Sequence, residues 1–205
     1  MISTPVHPAP IVLASASPVR AAMLQAAGLD IATIVSEVDE EAVKRKMAIS
    51  QAPAPSLAER LATLKAEDVA RHHPDAAVIG ADQVLACEGR LIDKAPDRDA
   101  ARRTLQSLRG RTHDLYSAAA VVHGDRLLWC GHTRARVHMR DFSERFLDDY
   151  LEHAGAAILG SVGAYHFEGR GAQLFERVEG DPYAVMGLPL LELLGVLRHH
   201  GWIAA

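Results

Sequence analysis

Charged side chains standing where an apolar pattern should exclude them are the first sign of chemistry in this 205-residue chain. Asp82 ends the run AAVIGA, Ala76 to Ala81, a continuous apolar stretch of the kind that forms a strand covered on both faces. The pattern puts a carboxylate at the carboxyl tip of a central strand, where open α/β sheets carry their sites. Beside so apolar a run a carboxylate is costly unless it meets a metal, a cation or water; the plain alternative is an aspartate that opens a turn. Lys65 lies in SLAERLATLKAEDVARHH, on or beside the face marked by Leu57, Leu61, Leu64 and Val69. It either snorkels to water along its aliphatic stem or points into a cleft. In IVLASASPVRAAMLQAAG, a strand runs into small hydroxyls and then a helix, with Ser17 suited to the N-cap, Pro18 to the first helical position and Arg20 just inside. A helix N-terminus attracts phosphate through unpaired N–H groups and its dipole, and Arg20 there adds a guanidinium; ordinary capping with a solvated arginine is the alternative. Lys94, in LIDKAPD, follows on the return of the hairpin and could come back close to Asp82; a solvated loop lysine is the alternative. Glu37 to Glu41, EVDEE, is an acidic run that reads as surface, yet one of its carboxylates with Asp82 would make a hard oxygen site for Mg²⁺ shared with phosphates.

The elements that must position these residues alternate between strand and helix. Strands are expected at Ile11 to Ala14, Ile31 to Val35, Ala76 to Ala81, Leu115 to Val122, Arg126 to Met139 and Leu174 to Val178. Val84 to Ala86 and Leu91 to Ile92 flank CEGR as a short hairpin. Helices are expected at Pro18 to Ala27, closed by Gly28; from Ser56 to about His73, with Ser56 and Glu59 as a capping box; from Asp97 to Leu108; from Ser143 to His153; and from Leu188 to His200. Lys44 to Ser56, with Pro53 and Pro55, reads as a loop, and EGDPY as a turn. The alternation predicts an α/β protein with a mixed sheet and no linker between independent domains.

Bulk properties exclude several classes. With 22 basic and 26 acidic side chains the formal net charge is -4, so no global attraction to nucleic acid or an anionic membrane is expected, and KRK at Lys44 to Lys46 is too short for a nucleic-acid patch. No segment approaches the roughly 20 apolar residues that span a bilayer, and MISTPVHPAPIV does not read as a signal peptide. Cys87 and Cys130 belong to no metal-ligand cluster and are expected as reduced, buried thiols. GSVGAYHFEGRG lacks the order of a dinucleotide fingerprint, and no histidine spacing suggests zinc.

Taken in order, ASASPVR, EVDE, the Lys65-Ala66 pair, IGADQV, LIDKAPD, GRTHDLYSA, GAYHFEGRGAQLFERVEGD and VMGLPL follow the spacing of the Maf-like nucleoside triphosphate pyrophosphatases over nearly the whole chain. That resemblance implies a mixed, elongated α/β sheet flanked by helices, with two lobes around a cleft as in the inosine triphosphatases. It implies one domain over residues 1–205, a cytoplasmic homodimer, a divalent cation (Mg²⁺ or Mn²⁺), and hydrolysis of a nucleoside triphosphate to the monophosphate and pyrophosphate. Position by position, Asp82 matches the family's proton acceptor, Ser15, Arg20, Lys65 and Lys94 its phosphate contacts, and Glu40 with Asp82 its metal positions. Val19, Gln83 and Glu168 match three positions that separate branches by base. Gln83 and Glu168 resemble the branch acting on 7-methyl-GTP, whereas the dTTP/UTP branch has Thr and Gln there. Val19 fits neither pattern, since an aromatic residue or a second arginine is usual at its position, and LIDKAPD inserts Ala95 between lysine and proline. The family's association with inhibition of septum formation also leaves a non-catalytic, nucleotide-binding regulator as an alternative.

Overall fold

Strands that are apolar at every position, rather than every second one, need cover on both faces. β1 (Ile11–Ala14) is buried throughout, as is the start of β3 (Ala77–Cys87) from Ala77 to Asp82. The computed structural model describes residues 9–204, so most of the proline-containing lead lies outside the described residues. A seven-stranded sheet runs in the order β2 (Ile31–Thr33), β1, β3, β5 (Thr112–His123), β6 (Arg126–Met139), β7 (Phe175–Gly180), with β4 (Arg90–Ile92) pairing the far end of β3. β1 lies parallel to both β2 and β3; every other pairing is antiparallel. The sheet is therefore mixed, as expected.

Helices cover it in two packed halves. Over the parallel half, α3 (Ala54–Ala70) sets Leu57, Leu61 and Ala66 on Val12 and Val78. On the opposite face, α1 (Pro18–Ala26) and α7 (Leu190–His199) pack Leu24, Leu193 and Leu197 on Leu13 and Ile79. Beyond the parallel strands, α4 (Arg98–Leu108) and α5 (Glu144–Ala154) bury Leu105, Leu147 and Tyr150 against Leu85, Leu115 and Val137. α2 (Glu40–Ile49) lies outside this scheme, for none of its residues is buried. A last short helix, α6 (Pro182–Met186), ends at Gly187, whose φ of 103° is left-handed.

Three expectations are corrected. The loop expected at Lys44 to Ser56 is partly helix: α2 occupies Glu40–Ile49, started by Asp39, whose side chain accepts from Ala42 N at 2.9 Å. Its residues are good helix formers, but with no buried stripe it has no apolar period to announce it. The capping box at Ser56 is not formed, because α3 begins at Ala54 with Pro53 in the cap position and Ser56 inside the first turn. β3 does not stop at Ala81. It loses β1 after the pair Ala14 with Gly80, yet stays paired to β5 through Asp82 with Ala118 and on to Ala86 with Asp114. Asp82 thus sits inside a long strand, just past the end of its parallel neighbour. Both cysteines are free, and Cys87 is buried as expected, whereas Cys130 in β6 is only half-buried.

Candidate active site

One glycine decides how closely the main charged side chains approach. A Cβ at Gly80 would stand 2.0 Å from Ala62 O and 2.7 Å from Ala66 N, so α3 rests directly on the β3 backbone. That contact lowers Lys65 onto Asp82, two residues on from Gly80 and on the same face of the strand. Lys65 Nζ lies 2.6 Å from Asp82 Oδ1 and 2.7 Å from Glu40 Oε1, and both Lys65 and Asp82 are buried. Lys65 is buried in these ion pairs and does not snorkel to water. Burial works against ionised Glu40, but its hydrogen bond to Lys65 and the charges of Lys65, Lys94 and Lys44 outweigh this and hold the carboxyl below its usual range.

The turn between β1 and α1 closes the opposite side. Ser17 caps α1 through Arg20 N at 3.3 Å, as its sequence position suggested. Arg20 is not solvated: Nε donates to Gly187 O at 2.9 Å, and Nη1 donates to Ala81 O at 2.9 Å and to Ser15 Oγ at 3.1 Å. Burial lowers its pKa, opposed by the negative charges of Asp82 and Glu40, and a guanidinium so placed remains a cation. The N–H groups of Nη2 have no partner among the described residues. Ser15 Oγ also accepts from Ser17 N at 3.2 Å, so Arg20 shapes the turn as well as charging it.

Lys94 is exposed, bridged by its backbone to Val162, and its charge reaches Glu40; no ion pair joins it to Asp82 among the described residues. Asp68 and Asp93, which no sequence signal singled out, tie down α2 and the segment just before it. Asp68 Oδ2 accepts from Glu37 N at 2.8 Å, and Lys44 Nζ pairs with Asp93 Oδ1 at 2.6 Å and Glu41 Oε1 at 2.8 Å. The two carboxylates give burial its counterweight and raise the Lys44 pKa. Lys44 lay in the short basic run, and only its distance to Asp93 gives it meaning.

The remaining positions lie across the sheet. Gln83 follows Asp82 in β3 and so faces the other way. Its Nε2 donates to Ala184 O at 2.9 Å, Val185 O at 3.1 Å and Ser117 Oγ at 3.0 Å. Val19 and Glu168 line a cleft of about 560 Å³ with Met23, Tyr183, Met186 and Leu190; Gln83 is absent from that lining.

Asp82 Oδ2 and Glu40 Oε2 have no partner among the described residues, while the oxygens beside them share one ammonium. Carboxylates converging in this way are hard donors that fit Mg²⁺ or Mn²⁺. No cluster of three or more His, Cys, Asp or Glu suited to a metal occurs among the described residues, so such an ion would complete its shell with phosphate oxygens and water. No helix among them is long and apolar enough to cross a membrane.

A mixed sheet with an ammonium seated between two carboxylates, where its parallel half ends, defines the molecule as an α/β protein with a buried cluster of opposite charges. The model of the Maf-like protein family matches residues 10–200, and the chain belongs to that family. It is 50% identical over 189 residues to the nucleoside triphosphate pyrophosphatase of Paramagnetospirillum magneticum, covering 92% of this chain and 97% of that protein. To the protein of the same name from Granulibacter bethesdensis it is 49% identical over 190 residues, 93% and 96% of the two chains. The 7-methyl-GTP pyrophosphatase of Rhizobium meliloti is 43% identical over 195 residues, 95% and 98% of the two.

Proposed function

We propose that the protein hydrolyses a nucleoside triphosphate to the monophosphate and pyrophosphate, with 7-methyl-GTP as its preferred substrate. The observation that carries the reading is Lys65 Nζ, 2.6 Å from Asp82 Oδ1 and 2.7 Å from Glu40 Oε1, next to a turn fastened by buried Arg20. The relatives' names support the same reaction. Water attacks the α-phosphorus, Asp82 takes its proton, the bond from that phosphorus to the bridging oxygen breaks, and pyrophosphate leaves. Ser15, Arg20, Lys65 and Lys94 hold the phosphates and neutralise the charge that develops on them. Glu40 and Asp82 would hold the divalent cation, which supplies Lewis-acid polarisation and screens the leaving group. In the cleft across the sheet, Glu168 accepts from the N1–H and amino group of guanine and favours a cationic, methylated base. One name among the relatives, that of the Rhizobium meliloti protein, supports this base. The family pattern further supports one two-lobed domain acting as a cytoplasmic homodimer, which light scattering at twice the chain mass checks.

A pyrophosphate-release screen over standard and methylated nucleotides with Mg²⁺ or Mn²⁺ tests the reading. Release from 7-methyl-GTP above dTTP and UTP, lost in Asp82→Asn with the fold intact, supports it. A protein that binds triphosphates without turnover is a regulator and overturns the reaction. Equal rates on dTTP, unmoved by Glu168→Gln, overturn the base preference alone.

A further inference from the structure

Gln83 has no amide hydrogen left to give. An amide nitrogen carries two N–H groups, and those of Gln83, one of them shared, serve three acceptors: the carbonyls of Ala184 and Val185 and the hydroxyl of Ser117. Ser117 Oγ in turn donates to Ala184 O at 2.7 Å, and Arg20 Nε to Gly187 O at 2.9 Å. These bonds fasten α6, which at five residues is too short to hold itself, to β3, β5 and the phosphate-side arginine. The helix is further fixed at its start by Asp181, which accepts from Tyr183 N at 2.9 Å. Its Tyr183 and Met186 line the cleft with Val19 and Met23 of α1. Glu168 is the one charged side chain in that lining, is exposed, and has no hydrogen bond or ion pair among the described residues.

We propose that Tyr183 and Met186 form the wall against which the base of the nucleotide packs, and that Gln83 sets base preference as a positioning residue that holds α6 without touching the base. The inference rests on reading this cleft as the base site of a nucleoside triphosphate hydrolase. Val19 offers no π face, so the polarisable thioether and the phenol ring supply the contact that a cationic purine gains from, with Glu168 as its counter-charge. A threonine at position 83 is too short to reach the α6 carbonyls, and the wall would then relax.

The experiment compares kcat and KM for 7-methyl-GTP, GTP and dTTP, with calorimetric binding of 7-methylguanosine monophosphate as a readout free of turnover. Variants are Met186→Ala, Tyr183→Leu, Gln83→Ala and the double Gln83→Ala/Met186→Ala. Each single variant lowers the preference for the methylated base roughly three- to tenfold, the range of a lost sulfur or ring contact, and the loss falls on KM rather than kcat. The double variant is expected to lose little more than Gln83→Ala alone, because both act on one wall. Additive losses would mean that Gln83 touches the base, and the positioning role falls. Unchanged preference in Met186→Ala and Tyr183→Leu removes the wall, as does a change in oligomer mass without a change in preference, which marks the cleft as covered by a second copy. Should the alanine variant unfold, Met186→Leu keeps the volume and removes only the thioether. If no nucleotide releases pyrophosphate, the activity reading fails while the calorimetric comparison still decides this one. Failure of the unmodified protein to bind 7-methylguanosine monophosphate overturns the inference.

Discussion

Asp82 and Gln83 are adjacent in sequence and belong to different sites. Asp82 forms an ion pair with Lys65 under α3, while Gln83 meets backbone carbonyls of α6 beside an apolar cleft. The alternation of a strand is enough to separate them: one residue's rise turns the next side chain to the far face of the sheet. The faces hold their residues by different means. Across Asp82 the approach is set by contact between backbones at Gly80; across Gln83 it is set by hydrogen bonds that can be lost one at a time. A perturbation of the first face should therefore remove the reaction, and one of the second should change only which base is accepted.

The hardest test of that contrast is Asp82→Asn. We expect pyrophosphate release to fall about 10²- to 10⁴-fold, the usual worth of a positioned general base, with the ranking of bases unchanged. A variant that kept its rate but changed its ranking would merge the two faces. Next, Gly80→Val should cost at least about 1–3 kcal/mol in denaturant unfolding, because a Cβ there meets backbone atoms that cannot step aside. Gly28→Ala is its control: Gly28 has open space around it and a φ of 86°, so the cost is limited to left-handed strain of about 1–2 kcal/mol and activity stays. Equal effects at both glycines would show that α3 does not depend on close approach.

A titration away from both faces sharpens the contrast. In the half covered by α4 and α5, His113 Nε2 lies 2.6 Å from Tyr165 Oη, and burial lowers the His113 pKa from 6.5 to about 4. The unfolded chain then binds more protons between these values, so the stabilisation is whole above pH 6.5 and is lost as pH falls towards 4. At about 1.4 kcal/mol per unit the loss approaches roughly 3 kcal/mol. His113→Gln should flatten the unfolding free energy in that window without changing the ranking of nucleotides. The smallest effect is expected at Lys44→Gln, which unties α2 from Asp93 at a partly exposed pair worth less than about 1 kcal/mol. Its mark is a higher KM that high salt reproduces in the unmodified protein; an altered base preference would tell against the division.

Much of this was legible in the chain itself. The buried strands, α1 with its Ser17 cap and Pro18, α4 after Asp97 and α5 after Ser143 followed from apolar runs and capping residues. α2 was hidden because a helix without a buried face has no period for a pattern to detect. The length of β3 was hidden because Asp82 and Gln83 look like a strand's end, and only pairing with β5 carries the strand through them. Lys65 was ambiguous from its helix position alone; Gly80, a residue with no side chain, resolved it.

The sequence by itself determined which residues carry charge where apolar neighbours make charge costly, because desolvation depends on residue type and local pattern. It also determined the period that puts Asp82 and Gln83 on opposite faces. Tertiary structure alone decided what each face meets. Lys65 reaches Asp82 from α3 while Glu40 of α2 meets the same ammonium, and α6 reaches Gln83 from a hundred residues away, by contacts whose partners no local pattern encodes.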